Sequence, residues 1–213
     1  NRRFVIKSTF NDQIEEIRIP ISVNKITSKL SDLYIFPDIE KVEFDQSHFE
    51  DYIDSEHVIK NTDYKCLIIE GESQSGKSSL VHMLFKRSYG QDLYPLLIEG
   101  SIIDKVDLEK VLAQSFKNIY SDLDGDYDRY KQLEKEKKIL LIDDFHSIKL
   151  NSKFAFDLIK KALDLFSQII ITVDKAYSLM PQLQAEFEDF SFFSIKPLGY
   201  KKRNDLIKKY HLL

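Results

Sequence analysis

One stretch of this 213-residue chain has both the residue types and the spacing to hold a polyphosphate. Gly71-Glu72-Ser73-Gln74-Ser75-Gly76-Lys77-Ser78 fits the Walker A pattern G-x-x-x-x-G-K-[ST] without a departure. Each fixed letter has a chemical task. The glycines at 71 and 76 let successive backbone N–H groups turn inward around phosphate oxygens. The Lys77 ammonium reaches the β- and γ-phosphates, and the Ser78 hydroxyl is placed to ligate Mg2+. Ser79 follows in the first turn of the helix expected after the loop, and the positive N-terminus of that helix faces the same anion.

A phosphate loop needs a second anchor for the metal. Ile139-Leu140-Leu141-Ile142-Asp143-Asp144 reads as a buried strand ending in two acids. Asp143 is the expected Mg2+ holder. Asp144 is the expected partner of the attacking water, with Lys77 stabilising charge on the phosphate. The plain alternative is a buried strand that ends in two solvated acids. An aspartate in the water-facing place is a methylene shorter than glutamate and predicts slow turnover. The D-x-x-G and N-K-x-D signatures of regulatory GTPases are missing: Asp143-Asp144-Phe145-His146 has no glycine, and Asn24-Lys25-Ile26-Thr27 precedes the loop and ends in Thr. ATP or ADP is therefore the expected nucleotide. At the end of Ile169-Ile170-Ile171-Thr172-Val173-Asp174, Thr172 or Asp174 could sense the γ-phosphate, or simply cap the next helix. Arg203, after the last strand, is the nearest thing to an in-chain arginine finger.

The elements that must position these residues follow from hydrophobic rhythm. From Lys65 onward, β-prone runs at 66–70, 94–99, 139–142, 169–173 and 192–195 alternate with helical segments. Leu80, Val81, Leu84 and Phe85 mark the helix after the loop. Leu108, Leu112, Phe116 and Ile119 share one helical face, and so do Phe154, Leu158, Ala162 and Leu165. The runs 139–142 and 169–173 are solidly apolar, as central strands buried on both faces must be. The prediction is an α/β, three-layer P-loop NTPase fold of the ASCE type, with a five-stranded parallel sheet in the order 5-1-4-3-2. Residues 1–63 read as an irregular N-terminal linker or extension, and 64–213 as the core.

Composition bounds the rest. A hydrophobic share of 43% and a charged share of 31% exclude collagen-like and disordered classes. A net charge of −4 argues against a nucleic-acid coat. No apolar run is long enough to cross a bilayer, no signal peptide is present, and the single Cys66 forms no internal disulfide. Together these predict a cytoplasmic location, and the missing initiator Met reads as a piece of a longer protein. Only six glycines occur, so two of them five residues apart stand out. Asp122-Leu123-Asp124-Gly125-Asp126-Tyr127-Asp128 fails as a calcium loop, because Tyr120 and Lys131 fall where the first and last ligands belong. Lys201, Lys202, Arg203, Lys208 and Lys209 read as a solvated helix face, His146 as loop surface and Cys66 as core packing.

The loop, the Asp143-Asp144 pair, Ile195-Lys196-Pro197-Leu198 and Arg203-Asn204-Asp205-Leu206-Ile207 resemble the STAND (NACHT-like) signalling NTPases. Leu33-Tyr34-Ile35-Phe36-Pro37-Asp38 resembles the segment ahead of the loop in bacterial members fused to a calcineurin-like metallophosphoesterase. The resemblance covers about residues 30–213. It implies a switch in which ADP holds a closed state and ATP exchange opens it to self-association or to neighbouring domains. It also implies that Tyr34, Phe36 and Pro37 contact adenine, against the alternative of a linker packing its aromatics on the core. Two departures stand out. Asp174 sits where many such proteins carry Arg, and the chain ends at Leu213, ahead of the helical and winged-helix subdomains of the family. An interaction module with a vestigial P-loop and an AAA-like ATP-driven motor are the other two readings.

Overall fold

The computed structural model describes residues 3–17, 29–42, 52–59, 63–104, 107–121, 125–175 and 190–212. Seven strands form one mixed sheet: β1 (Asp38–Lys41), β2 (Tyr52–Asp54), β3 (Cys66–Gly71), β4 (Tyr94–Glu99), β5 (Lys138–Asp143), β6 (Gln168–Asp174) and β7 (Phe190–Ile195). Their order is β2-β1-β7-β3-β6-β5-β4. The five-stranded expectation is therefore corrected to seven, and the order of the whole sheet differs from the one predicted. The two additions are short and antiparallel, β1 to β7 and β2 to β1. The parallel part runs β7-β3-β6-β5-β4.

Burial explains which runs went to the middle. β5 is buried at every position, and β6 at every position but its last. β4, at the sheet edge, is buried at only three of its six positions. The α-helices among the described residues are α1 (Ser8–Ile14), α2 (Leu30–Leu33), α3 (Lys77–Gly90), α4 (Leu108–Ile119), α5 (Asp126–Lys131), α6 (Ser152–Leu165) and α7 (Tyr200–Leu212). Helix α3 packs on β3, β4, β5 and β6, while α4 and α6 pack on each other and on β4 and β6 respectively. Leu80, Val81, Leu84 and Phe85 of α3 are fully buried, and Phe10 of α1 closes over Phe85 with ring centroids 5.1 Å apart. Asp107 and Asn151 cap α4 and α6 by accepting from the amides of Lys110 and Phe154.

The buried stripe of α6 differs from the predicted one. Ala155, Leu158, Ile159 and Ala162 face the sheet, whereas Phe154 and Leu165 are exposed. Both sets obey helical spacing; the wider stripe i, i+3, i+4, i+7 wins because it covers more of the sheet.

Residues ahead of the loop are woven into this core. Ile6 bridges Tyr120, the Lys7 amide donates to the Ile119 carbonyl and the Ser121 amide to that of Val5. Phe4 sits among Tyr94, Phe116, Tyr120 and Tyr130, with centroid distances of 5.1 to 6.0 Å. Buried Glu15 accepts from the amide and hydroxyl of Ser31 and from Lys86, tying α2 to α3. Of the exposed acidic loop expected over 122–128, residues 122–124 lie outside the described residues, whereas 126–128 open α5 with Asp126 buried; Gly125 starts that helix in the left-handed region, at φ 81°.

Because β3, β5 and β6 are parallel, their carboxyl ends share one edge of the sheet. That edge is where a ligand site forms in such sheets.

Candidate functional site

The loop between β3 and α3 is shaped by its two glycines in different ways. Gly76 caps α3 at φ 90°, a left-handed conformation that L side chains avoid. Gly71 has ordinary dihedrals but no room: a Cβ there would lie 2.3 Å from Ser75 Oγ. Gln74 also takes a positive φ, of 61°, and the Ser75 amide donates to the Glu72 carbonyl. The result is a tight, inward-turned loop in which Glu72, Ser73 and Gln74 are exposed, while Ser78 and Ser79 are half-buried in the first turn of α3.

Lys77 is buried and its ammonium donates to the carbonyls of Gly71, at 2.9 Å, and Glu72, at 2.8 Å. It also lies 3.8 Å from Asp174 Oδ2. A lysine this buried is held by its own loop, and phosphate oxygens are the natural replacement for those two carbonyls. Ser75 Oγ is buried without a hydrogen-bond partner, a polar atom waiting in the cradle. These features fit a phosphate group.

The second part of the site stands two strands away. Asp143, at the end of β5, is buried, and its Oδ1 accepts from Thr172 Oγ1 at 2.6 Å and from the Asp144 amide at 3.1 Å. Thr172 is fully buried, and its oxygen accepts from that same amide at 3.0 Å. Both bonds on Asp143 fall on Oδ1, so Oδ2 is the oxygen left for an incoming cation. Among the described residues no group of three His, Cys, Asp or Glu side chains could hold a metal by itself. The donor set of Ser78, Asp143 and phosphate oxygens is of the oxygen-only kind that suits Mg2+, which keeps waters and bridges to phosphate.

Asp144 turns the chain through the left-handed region at φ 50° into a short 3-10 turn closed by Ser147. Gly100 makes that possible, since a Cβ there would meet the Asp144 carbonyl oxygen at 2.3 Å. Burial, then the neighbouring charge of Asp143, pushes the Asp144 carboxyl above the usual range, with His146 and Lys77 pulling the other way. A carboxylate whose proton affinity is raised is better suited to accept a proton from water. His146 is not plain loop surface. Its Nδ1 accepts from the Asp174 amide at 3.2 Å and lies 4.0 Å from Asp144 Oδ1.

On the other side of β3 lies a cavity of about 670 Å3 that reaches the loop at Ser75, Gly76 and Ser79. Its remaining walls are mostly apolar and include Tyr34, Pro37, Ile195, Leu198, Leu206 and Tyr210. Of the three expected base contacts, Tyr34 and Pro37 line it. Phe36 instead packs edge-on against Tyr34, with centroids 5.0 Å apart. Burial drives the Tyr34 hydroxyl well above its ordinary pKa, so it stays protonated. The basic α7 is not wholly solvated: its apolar side closes this cavity, while Lys209 donates to the Tyr34 carbonyl and Lys202 to Asp38 and Asp54.

Sequence reasoning missed the Thr172–Asp143 bond, the fit of Gly100 under Asp144 and the pinning of Asp174 by His146. Each depends on which strand ends meet in space. The helical spacing that puts Leu206, Ile207 and Tyr210 on one side of α7 was the available signal for the cavity wall. Arg203 lies exposed on α7.

No family model matches the chain. No curated protein matches it either. Among solved structures, domain III of the replication initiation protein DnaA from Thermotoga maritima is similar over 73% of this chain and 63% of that one, at 21% identity and a TM-score of 0.40. The RuvB Holliday junction branch migration motor of Thermotoga maritima is similar over 68% and 42%, at 15% identity and a TM-score of 0.40. AMPPCP-bound DnaA from Aquifex aeolicus is similar over 68% and 43%, at 19% identity and a TM-score of 0.42. The chain thus spans less than two thirds of the length of each. Likeness this distant assigns neither family nor function.

Proposed function

We propose that this chain is a Mg2+-dependent ATP- and ADP-binding module of the STAND signalling kind, acting as a switch with slow hydrolysis. One observation carries the reading: a single glycine-shaped loop holds a buried lysine between an apolar cavity and a carboxylate-bearing sheet edge. A nucleotide has that same division, an apolar base at one end and a charged phosphate chain at the other. Tyr34, Pro37 and the α7 side chains would enclose the base. The amides of residues 71–79 and Lys77 would hold the phosphates. Ser78 and Asp143 would hold Mg2+, which supplies charge neutralisation when bound. Asp144 would orient and deprotonate the water, in line with a phosphate whose charge Lys77 stabilises. Self-association, or contact with neighbouring domains of a longer parent, would read out the bound state.

Titration calorimetry with Mg-ATP, Mg-ADP and Mg-GTP tests this directly. The expected result is binding of both adenine nucleotides, weaker binding of GTP, and at least about a tenfold loss for both in Lys77→Ala. Binding of none would favour an interaction module with a vestigial loop. ATP turnover with and without single-stranded DNA decides between switch and motor: a rate raised several-fold by DNA would favour the motor and make nucleic acid a partner.

A further inference from the structure

We propose that His146 is a positioning residue: by accepting the Asp174 amide it keeps the Asp144 carboxylate turned toward the water. The inference rests on the nucleotide reading above, in which Asp144 serves that water, and adds the group that aims it.

The backbone of Asp144 is held at both ends. Its amide donates to Asp143 Oδ1 and Thr172 Oγ1, and its carbonyl accepts from the amide and hydroxyl of Ser147, at 2.9 and 2.6 Å. None of these bonds reaches the carboxylate, and the side chain is 49% exposed. What stands beside it is the His146 ring. Its Nδ1 lies 4.0 Å from Asp144 Oδ1 and accepts from the Asp174 amide at 3.2 Å. Asp174 in turn pairs with Gly71, and the Lys175 amide donates to the Gly71 carbonyl. The ring is thereby tied to the strand edge that opens the phosphate loop.

A backbone amide is an obligatory donor, and a carboxylate is a stronger acceptor than an imidazole. With Nδ1 in place, the Asp174 amide is served and the carboxylate stays out of that bond. With the ring removed, Asp144 can swing over and take the amide, which turns its oxygens from the phosphate chain toward β6. Asparagine offers Oδ1 close to where Nδ1 stands, whereas glutamine offers its polar atoms farther out, where Nε2 stands.

The test measures Mg-ATP turnover and calorimetric Mg-ATP affinity on the whole chain, for wild type, His146→Ala, His146→Asn and His146→Gln. His146→Ala is expected to lose at least about tenfold in turnover, as a misplaced catalytic group does. Its Mg-ATP affinity is expected to stay within about twofold of wild type. His146→Asn is expected to recover most of the rate and His146→Gln little of it. Turnover at the wild-type rate in His146→Ala overturns the inference and leaves the nucleotide reading standing. Equal losses of rate and affinity, or rescue by both variants or by neither, do the same. If wild type binds Mg-ATP without measurable turnover, Mg-ADP with aluminium fluoride, which mimics the in-line transition state, is titrated instead. His146→Ala is then expected to bind that mimic at least about tenfold more weakly while binding Mg-ADP alone as wild type does. A wild type that does not capture the mimic overturns the inference. If wild type binds no nucleotide, both readings are overturned. Should circular dichroism show His146→Ala unfolded, His146→Ser is read by the same criteria.

Discussion

Thr172 holds the Asp143 carboxylate in place, because its hydroxyl donates to Oδ1 and its oxygen receives the Asp144 amide. Valine has the same shape but no donor, so Thr172→Val leaves a buried carboxylate oxygen short of a partner. The expected cost is about 1.5–3 kcal/mol in urea unfolding, the range for a hydrogen bond to a charged group. A merely structural threonine would weaken nucleotide binding equally with and without Mg2+. A positioning role predicts a larger loss with Mg2+ present, reversed by Thr172→Ser. At this scale the sequence was legible where the chemistry is local. The loop residues are consecutive, so their types and spacing alone marked them. Thr172 and Asp143 are 29 residues apart and meet only through the β5–β6 pairing, so the threonine read as a sensor or, more readily, as a cap.

Helix α7 shows how an element's role depends on partners far away in the chain. Five basic residues within nine positions read as a solvated face, yet Lys202 sits between Asp38 and Asp54, at 2.8 and 2.9 Å. Burial alone would push the Asp54 carboxyl up. The hydrogen bonds from Lys202 and the Glu56 amide, with the charges of Lys202 and His57, hold it below its ordinary value instead. A carboxyl depressed in the folded state stabilises above the ordinary Asp range and loses that contribution as pH falls through the depressed value. The pair is about one-third exposed, so its worth is at most about 1 kcal/mol. Hydrogen-exchange protection of residues 200–212, corrected for intrinsic rates, should therefore drop several-fold on acidification below the ordinary Asp range. Lys202→Ala should give the same drop at neutral pH and flatten the acid dependence. Protection that is unchanged in Lys202→Ala would mean that apolar contacts alone hold the helix.

Over the whole molecule, the parallel strands were legible because burial on both faces leaves solid apolar runs, as in Ile139–Ile142 and Ile169–Ile171. β1 and β2 were not. Asp38-Ile39-Glu40-Lys41 and Tyr52-Ile53-Asp54 are short and half polar; β2 pairs only with β1, and the pairing of β1 to β7 joins Ile39 to Ile195, far along the chain. The same long-range logic hides the role of Phe4, whose neighbours come from β4, α4 and α5 and from Tyr120 just beyond α4. Phe4→Ala is expected to destabilise the molecule by about 3–5 kcal/mol. The urea midpoint would fall while the transition stays single, whereas a loosely attached N-terminal segment would leave the midpoint unmoved.

The strand that carries the loop stands between β7 and β6, with the apolar cavity on one flank and the acidic strand ends on the other. Recognition and reactivity are thereby walled off from each other. Substitutions at Leu198 or Leu206 could re-specify which aromatic ring the cavity accepts without disturbing the charges around Lys77. An uncharged inhibitor could fill the same cavity without any mimic of phosphate, and such a design would have to contend with none of the three aspartates.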